Sequence, residues 1–91
     1  MNVYKKGQLV RLSAVFTVAG TPTDPTTLTF TIEDPTGATI TPSMTKDFTG
    51  IYHYDYDTTS SAAGIFLYKI VGTGAAQGVF EGSFAVEPTV I

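Results

Sequence analysis

The stretch Leu9-Val10-Arg11-Leu12-Ser13-Ala14-Val15-Phe16-Thr17-Val18 decides the fold class. Val10, Leu12, Ala14, Phe16 and Val18 fall on one side of a two-residue period, while Arg11, Ser13 and Thr17 fall on the other. Side chains alternate faces only along an extended strand, so this pattern predicts a strand with one face in a core and one in water. The same period recurs downstream. Leu28, Phe30 and Ile32 alternate with Thr29, Thr31 and Glu33, and Tyr52, Tyr54 and Tyr56 alternate with Ile51, His53, Asp55 and Asp57. Phe80, Phe84 and Val86 are expected to face inward from Val79–Glu87, opposite Glu81, Ser83 and Ala85. Ile65–Thr73 differs because Ile65, Leu67 and Val71 back onto Phe66, Tyr68 and Ile70. Apolar residues on both faces predict a central strand, or one covered on its outer side.

Between these runs lie breaks with a mechanism. Asp34-Pro35-Thr36-Gly37 has Asp, Pro and Gly where a β-turn favours them at its first, second and fourth positions. Ala19–Thr27 and Thr58–Gly64 read as loops, Gly74–Gly78 as a turn, and Pro42-Ser43 as a break between short strands near Ala38–Thr41 and Met44–Phe48. Threonine is the commonest residue, strand formers dominate, and no segment sustains a helical apolar period. About seven short strands with regular turn signals predict a two-sheet sandwich, since face-to-face sheets bury one apolar face per strand.

Ninety-one residues allow one domain, spanning 1–91. A chain of this size buries roughly 60–65 % of its unfolded surface and is stable by about 5–9 kcal/mol. No cysteine is present, so no disulfide or thiol chemistry contributes. Hydrophobic residues make up 43 %, with five Tyr and six Phe, enough for a packed core despite only 14 % charged residues. A net charge of −3 argues against nucleic acid, whose phosphates require a basic face. Arg11 and Ser13 interrupt the apolar stretch that follows Lys5 and Lys6, so neither a signal peptide nor a membrane span is expected. Synthesis in the cytoplasm and no membrane partner are the corresponding expectations.

The residues also carry a resemblance. Tyr4-Lys5-Lys6-Gly7-Gln8-Leu9-Val10 is similar to the opening of immunoglobulin-like domains of the macroglobulin and bacterial-surface kind. Asp24-Pro25-Thr26-Thr27-Leu28-Thr29-Phe30 with Asp34-Pro35-Thr36-Gly37 resembles their second-strand unit. Gly50-Ile51-Tyr52 and Gly64-Ile65-Phe66-Leu67-Tyr68 resemble their Gly-x-aromatic strand starts, and Glu81-Gly82-Ser83-Phe84-Ala85-Val86 their last strand. At this length the chain resembles small immunoglobulin-like virion proteins of tailed bacteriophages. The resemblance covers nearly the whole chain and implies an immunoglobulin-like sandwich of about seven antiparallel strands. It implies a non-enzymatic component of the virion, with the major capsid protein as first partner and a multicopy array or homo-oligomer as the setting. The chain departs from antibody-type domains in lacking their cysteine pair and core tryptophan. A carbohydrate-binding or adhesion module, and a tail or neck accessory subunit, remain the alternatives.

Candidate chemistry is sparse. His53 shares a strand face with Asp55 and Asp57, but the spacing offers no loop of further metal ligands, and a solvated face with Lys69 or another partner across it is the expected reading. Tyr52, Tyr54 and Tyr56 could line a sugar platform, yet they are expected to fill the core. Ser13, Ser60 and Ser61 would need a base within hydrogen-bond reach to act as nucleophiles. No catalytic, cofactor or metal residue is assigned. Partner binding is assigned to the basic Lys5, Lys6 and Arg11, and to Val90 and Ile91 in the apolar C-terminal segment, with a solubilising, edge-protecting basic cluster and a frayed end as the alternatives. First and last strands lying side by side would gather them into one patch.

Overall fold

The computed structural model describes residues 2–59 and 62–88. Its strands are β1 (Asn2–Lys5), β2 (Leu9–Val15), β3 (Thr17–Val18), β4 (Thr21–Pro22), β5 (Thr27–Glu33), β6 (Thr39–Ile40), β7 (Thr45–Phe48), β8 (Ile51–Asp57), β9 (Gly64–Thr73) and β10 (Gly78–Glu87). No helix occurs among the described residues. The strands form a five-stranded sheet in the order β1-β10-β9-β5-β6 and a three-stranded sheet in the order β2-β8-β7, while β3 and β4 form a small hairpin of their own.

The alternation of β2 is realised as read: Val10, Leu12, Ala14 and Phe16 are buried, and Leu9, Arg11, Ser13 and Val15 are exposed. Facing them from the larger sheet are Phe30, Ile32, Phe66, Ile70, Phe84 and Val86, all buried. Rings join the two sheets. Phe66 and Phe84, cross-strand partners on β9 and β10, stack with centroids 4.9 Å apart and planes 5° from parallel. Tyr56 of the facing sheet meets Phe66 at 5.5 Å, and Tyr54 meets Phe30 at 5.4 Å. Each large apolar side chain buried this way contributes about 1.5–3 kcal/mol relative to an exposed one.

The turn at Asp34 forms as its residues predict. Its carboxylate accepts the amides of Thr36 and Ala38 and the Thr36 hydroxyl, the Gly37 amide returns to the Asp34 carbonyl, and Gly37 has a φ of 90°. These donors, the Thr36 hydroxyl foremost, hold the Asp34 carboxyl below the usual carboxylate range.

Three expectations are corrected. The strands are not all antiparallel: β1 runs parallel to β10, with Asn2 opposite Phe84 and Lys5 opposite Glu87. The chain changes sheets between β1 and β2 through a tight turn at Gly7 (φ 105°), closed by Gln8 N–H to Lys5 C=O, so β1 ends up beside the last strand. Val18 is 46 % exposed rather than buried, because the chain leaves the ladder after Val15. A two-residue loop, Ala19-Gly20, then folds Thr17–Val18 back on Thr21–Pro22, within what reads as a plain loop. Both loop residues have positive φ (51° and 82°), the mark of a type I′ hairpin. Strand β9 is central, the first of the two readings its sequence allows, lying between β10 and β5, and no part of the described chain covers its outer face. Ile65 and Leu67 are 54 % and 50 % exposed there.

Candidate protein-contact face

The outer face of the five-stranded sheet can be mapped from its register. Val3 pairs with Ala85 and Ala85 with Ile65, giving an apolar row across three strands. Leu67 follows on the same face of β9, flanked by Ser83 and Glu33. One step further, Lys69 stands between Glu81 and Thr31, and beyond it Val71 pairs with Val79. The face therefore has apolar ends and a charged middle. A depression of ≈ 260 Å³ opens over Thr31, Glu33, Thr39, Leu67, Lys69 and Glu81. Val3 is 57 % exposed, so the Val3–Ala85–Ile65–Leu67 end is an apolar surface open to water.

Of the residues singled out in the sequence, Lys5 lies on this face, opposite Glu87, and its Nζ pairs with the glutamate carboxylate at 2.8 Å. Lys6 follows, its amide donating to the Glu87 carbonyl at 2.9 Å. Start and finish of the described chain thus lie side by side. Arg11 does not join them. It projects from the outer face of the three-stranded sheet, where Nε and Nη2 donate to both carboxylate oxygens of Asp55 at 2.8 and 2.9 Å. The bidentate pair raises the Arg11 pKa and lowers that of Asp55, in each case chiefly through the hydrogen bonds. Val90 and Ile91 lie outside the described residues.

The partner of His53 is Asp47 of β7, while Lys69 stands on the other sheet. Its Nδ1 is 2.7 Å from Asp47 Oδ2, and its Nε2 is 3.8 Å from Asp55. A bulge in β7 between Lys46 and Phe48 makes room for Asp47 there. Asp57 turns away to accept the Thr59 amide and hydroxyl, so the three residues His53, Asp55 and Asp57 do not converge. Among the described residues no group of three such side chains could hold a metal ion. Ser13 sits opposite His53 in the ladder but makes no hydrogen bond to it, while Ser60 and Ser61 lie outside the described residues.

The tyrosines face inward, as expected. Tyr52 and Tyr56 are pushed to higher pKa, chiefly by burial. The Tyr52 hydroxyl donates to Asp24 at 2.9 Å, within a cluster that sequence reading missed. Asp24 also accepts Lys46 Nζ at 2.6 Å and the Gly50 amide at 2.7 Å, and its carboxyl drops to about 2 under these donors, Lys46 foremost. It ties the approach to β5 to the β7–β8 turn and closes one end of the sandwich. The available signal was Asp24-Pro25 in a loop opposite the Thr49-Gly50 turn, which names no partner. Thr58, also read as plain loop, is fully buried. Its hydroxyl donates to the Gln8 carbonyl at 2.6 Å and accepts the Gly7 amide at 2.8 Å, fixing the sheet change that brings Lys5 and Lys6 to Glu87. Compared with protein-family models, with curated proteins and with solved structures, the chain finds no match in any of the three.

Proposed function

We propose that this chain is a non-enzymatic structural protein of a tailed-phage particle, an immunoglobulin-like domain that decorates or cements the capsid through protein–protein contacts. Strand order supports the fold-level part. If β2, β5, β7, β8, β9 and β10 stand for strands B to G, one sheet reads B-E-D and the other holds G-F-C, the division found in immunoglobulin domains. The first strand departs from the constant-type pattern by joining strand G.

The observation that carries the functional part is the uncovered outer face of β1, β10 and β9. Val3, Ile65 and Leu67, each at least half exposed, form an apolar surface beside the Lys5–Glu87 pair. Contiguous apolar surface with a charged border suits a macromolecular partner. The sugar-binding alternative finds less support, because the tyrosine row that would stack on a sugar is engaged with core rings.

Co-sedimentation of the purified domain with assembled particles tests this reading. The parent domain is expected in the particle pellet, and an Ile65→Glu/Leu67→Glu variant, folded by circular dichroism, in the supernatant. Equal pelleting of both proteins would move the contact off this face. Failure of the parent domain to pellet would remove the capsid reading itself.

A further inference from the structure

The two main sheets have four edges, and three of these are short or interrupted. Strand β6 pairs only with Ile32 and Glu33 of β5 and the bulged β7 only with Ile51–His53 of β8, which leaves the open stretches Thr27–Thr31 and Tyr54–Asp57 shorter than a full strand. Strand β1 has four residues and ends in the Lys5–Glu87 pair. The fourth edge, β2, is seven residues long, regular, without proline, bulge or inward charge. Such an edge offers unpaired backbone groups as a template for another strand.

The direction of those groups can be read from its ends. The Gln8 carbonyl accepts from Thr58 and the Phe16 amide donates to Gly50, so even-numbered residues turn their backbone groups toward the β8 side. Leu9, Arg11, Ser13 and Val15 therefore direct theirs to the free edge. No hydrogen bond within the described chain uses the outward groups of these four residues.

We propose that this edge pairs with the same edge of a second copy of the chain, antiparallel, about a twofold axis through Leu12. This register sets Leu9 against Val15, Val10 against Ala14 and Arg11 against Ser13. Hydrogen-bonding residues of one copy then meet hydrogen-bonding residues of the other, as an antiparallel ladder requires, and about eight backbone bonds form. On the outer face, Leu9 (63 % exposed) covers Val15 (50 % exposed), twice by symmetry. On the inner face, Val10 and Ala14 extend the core row. Neighbouring registers fail on side chains: shifting the axis to Arg11 opposes two arginines, and shifting it to Ser13 sets Arg11 against Val15 and leaves Leu9 against Thr17. The result is a continuous six-stranded sheet across two copies. An edge contact falls below about 1,200 Å², where interfaces are weak, so association belongs in the micromolar range and gains strength where copies are held together.

Sedimentation equilibrium up to about 1 mM, with amide exchange followed by NMR at low and high concentration, tests the pairing. A monomer–dimer equilibrium is expected, with the amides of Leu9, Arg11, Ser13 and Val15 slowing as dimer forms. Ser13→Arg, at an exposed position, sets like charges opposite each other twice and is expected to weaken dimerisation at least about tenfold without unfolding the monomer. Ser13→Asp, facing Arg11 of the other copy, is expected to tighten it. A monomer at every concentration overturns the proposal, as does a dimer in which these four amides stay unprotected or both Ser13 variants associate like the parent. Protection that arises only when particle proteins are added assigns the edge to a foreign strand and also overturns self-pairing.

Discussion

Replacing Phe66 by alanine removes the side chain that locks the two sheets together. Phe66 is fully buried, stacks on Phe84 at 4.9 Å and meets Tyr56 of the opposite sheet at 5.5 Å. Truncating a buried phenylalanine costs about 3–5 kcal/mol, because the lost transfer energy is joined by a cavity that rigid neighbours cannot fill. A domain of this size has about 5–9 kcal/mol to lose, so the variant should retain about two-thirds of its stability at most. In urea, with a slope of roughly 1 kcal/mol per M, the unfolding midpoint should fall by about 3 M or more. A cycle with Phe84→Ala refines the test: because each single truncation already loses the stack, the double variant should lose about 0.5–1.5 kcal/mol less than the sum of the two single losses. A midpoint for Phe66→Ala within about 0.5 M of the parent would place this side chain outside the core and refute the sandwich packing.

Other perturbations address particular joints of the fold. Ala19 holds a left-handed φ of 51° that an L side chain disfavours, so Ala19→Asn should raise stability by about 0.5–1 kcal/mol in thermal denaturation. Gly72→Ala would bring a Cβ against the Phe16 ring and should cost about 1–3 kcal/mol, with Phe16→Leu in the same chain recovering part of it. Asp24 has its pKa depressed from 3.8 to about 2, so its contribution is complete above about pH 4 and fades as pH falls toward 2. Asp24→Asn should therefore be less stable than the parent at neutral pH, with the gap closing through that acid window in parallel denaturation curves; a constant gap would show that the carboxylate is not held as described.

How much was legible follows from how local each signal is. Alternation along β2, β5 and β8, and the Asp34–Gly37 turn, depend on neighbours within a few residues, and the structure follows them. Val18 went astray because the pattern continues past a hairpin whose loop, Ala19-Gly20, lacks the Asn-Gly or Asp-Gly that usually announces a type I′ turn. The inward placement of Phe80 is realised only in part: it is 36 % exposed, though its ring meets Phe16 edge-on at 5.3 Å. Parallel pairing of β1 with β10, the Asp24 cluster and the Thr58 clasp link residues far apart in the chain, and composition or period carries no trace of such partners. The same holds for the candidate face. Lys5 and Lys6 could be picked out by charge, but Val3, Ile65 and Leu67 become a surface only once β1 is laid beside β10.

The role we propose for this domain is that of a phage-particle component, held there through the outer face of its larger sheet. The most direct test is quantitative mass spectrometry of purified particles produced with the parent gene and with one encoding Ile65→Glu/Leu67→Glu. Many copies of the parent chain per particle are expected, with loss of the folded variant from particles that still assemble. Particles devoid of the parent chain, or carrying the variant at the same copy number, would contradict this role.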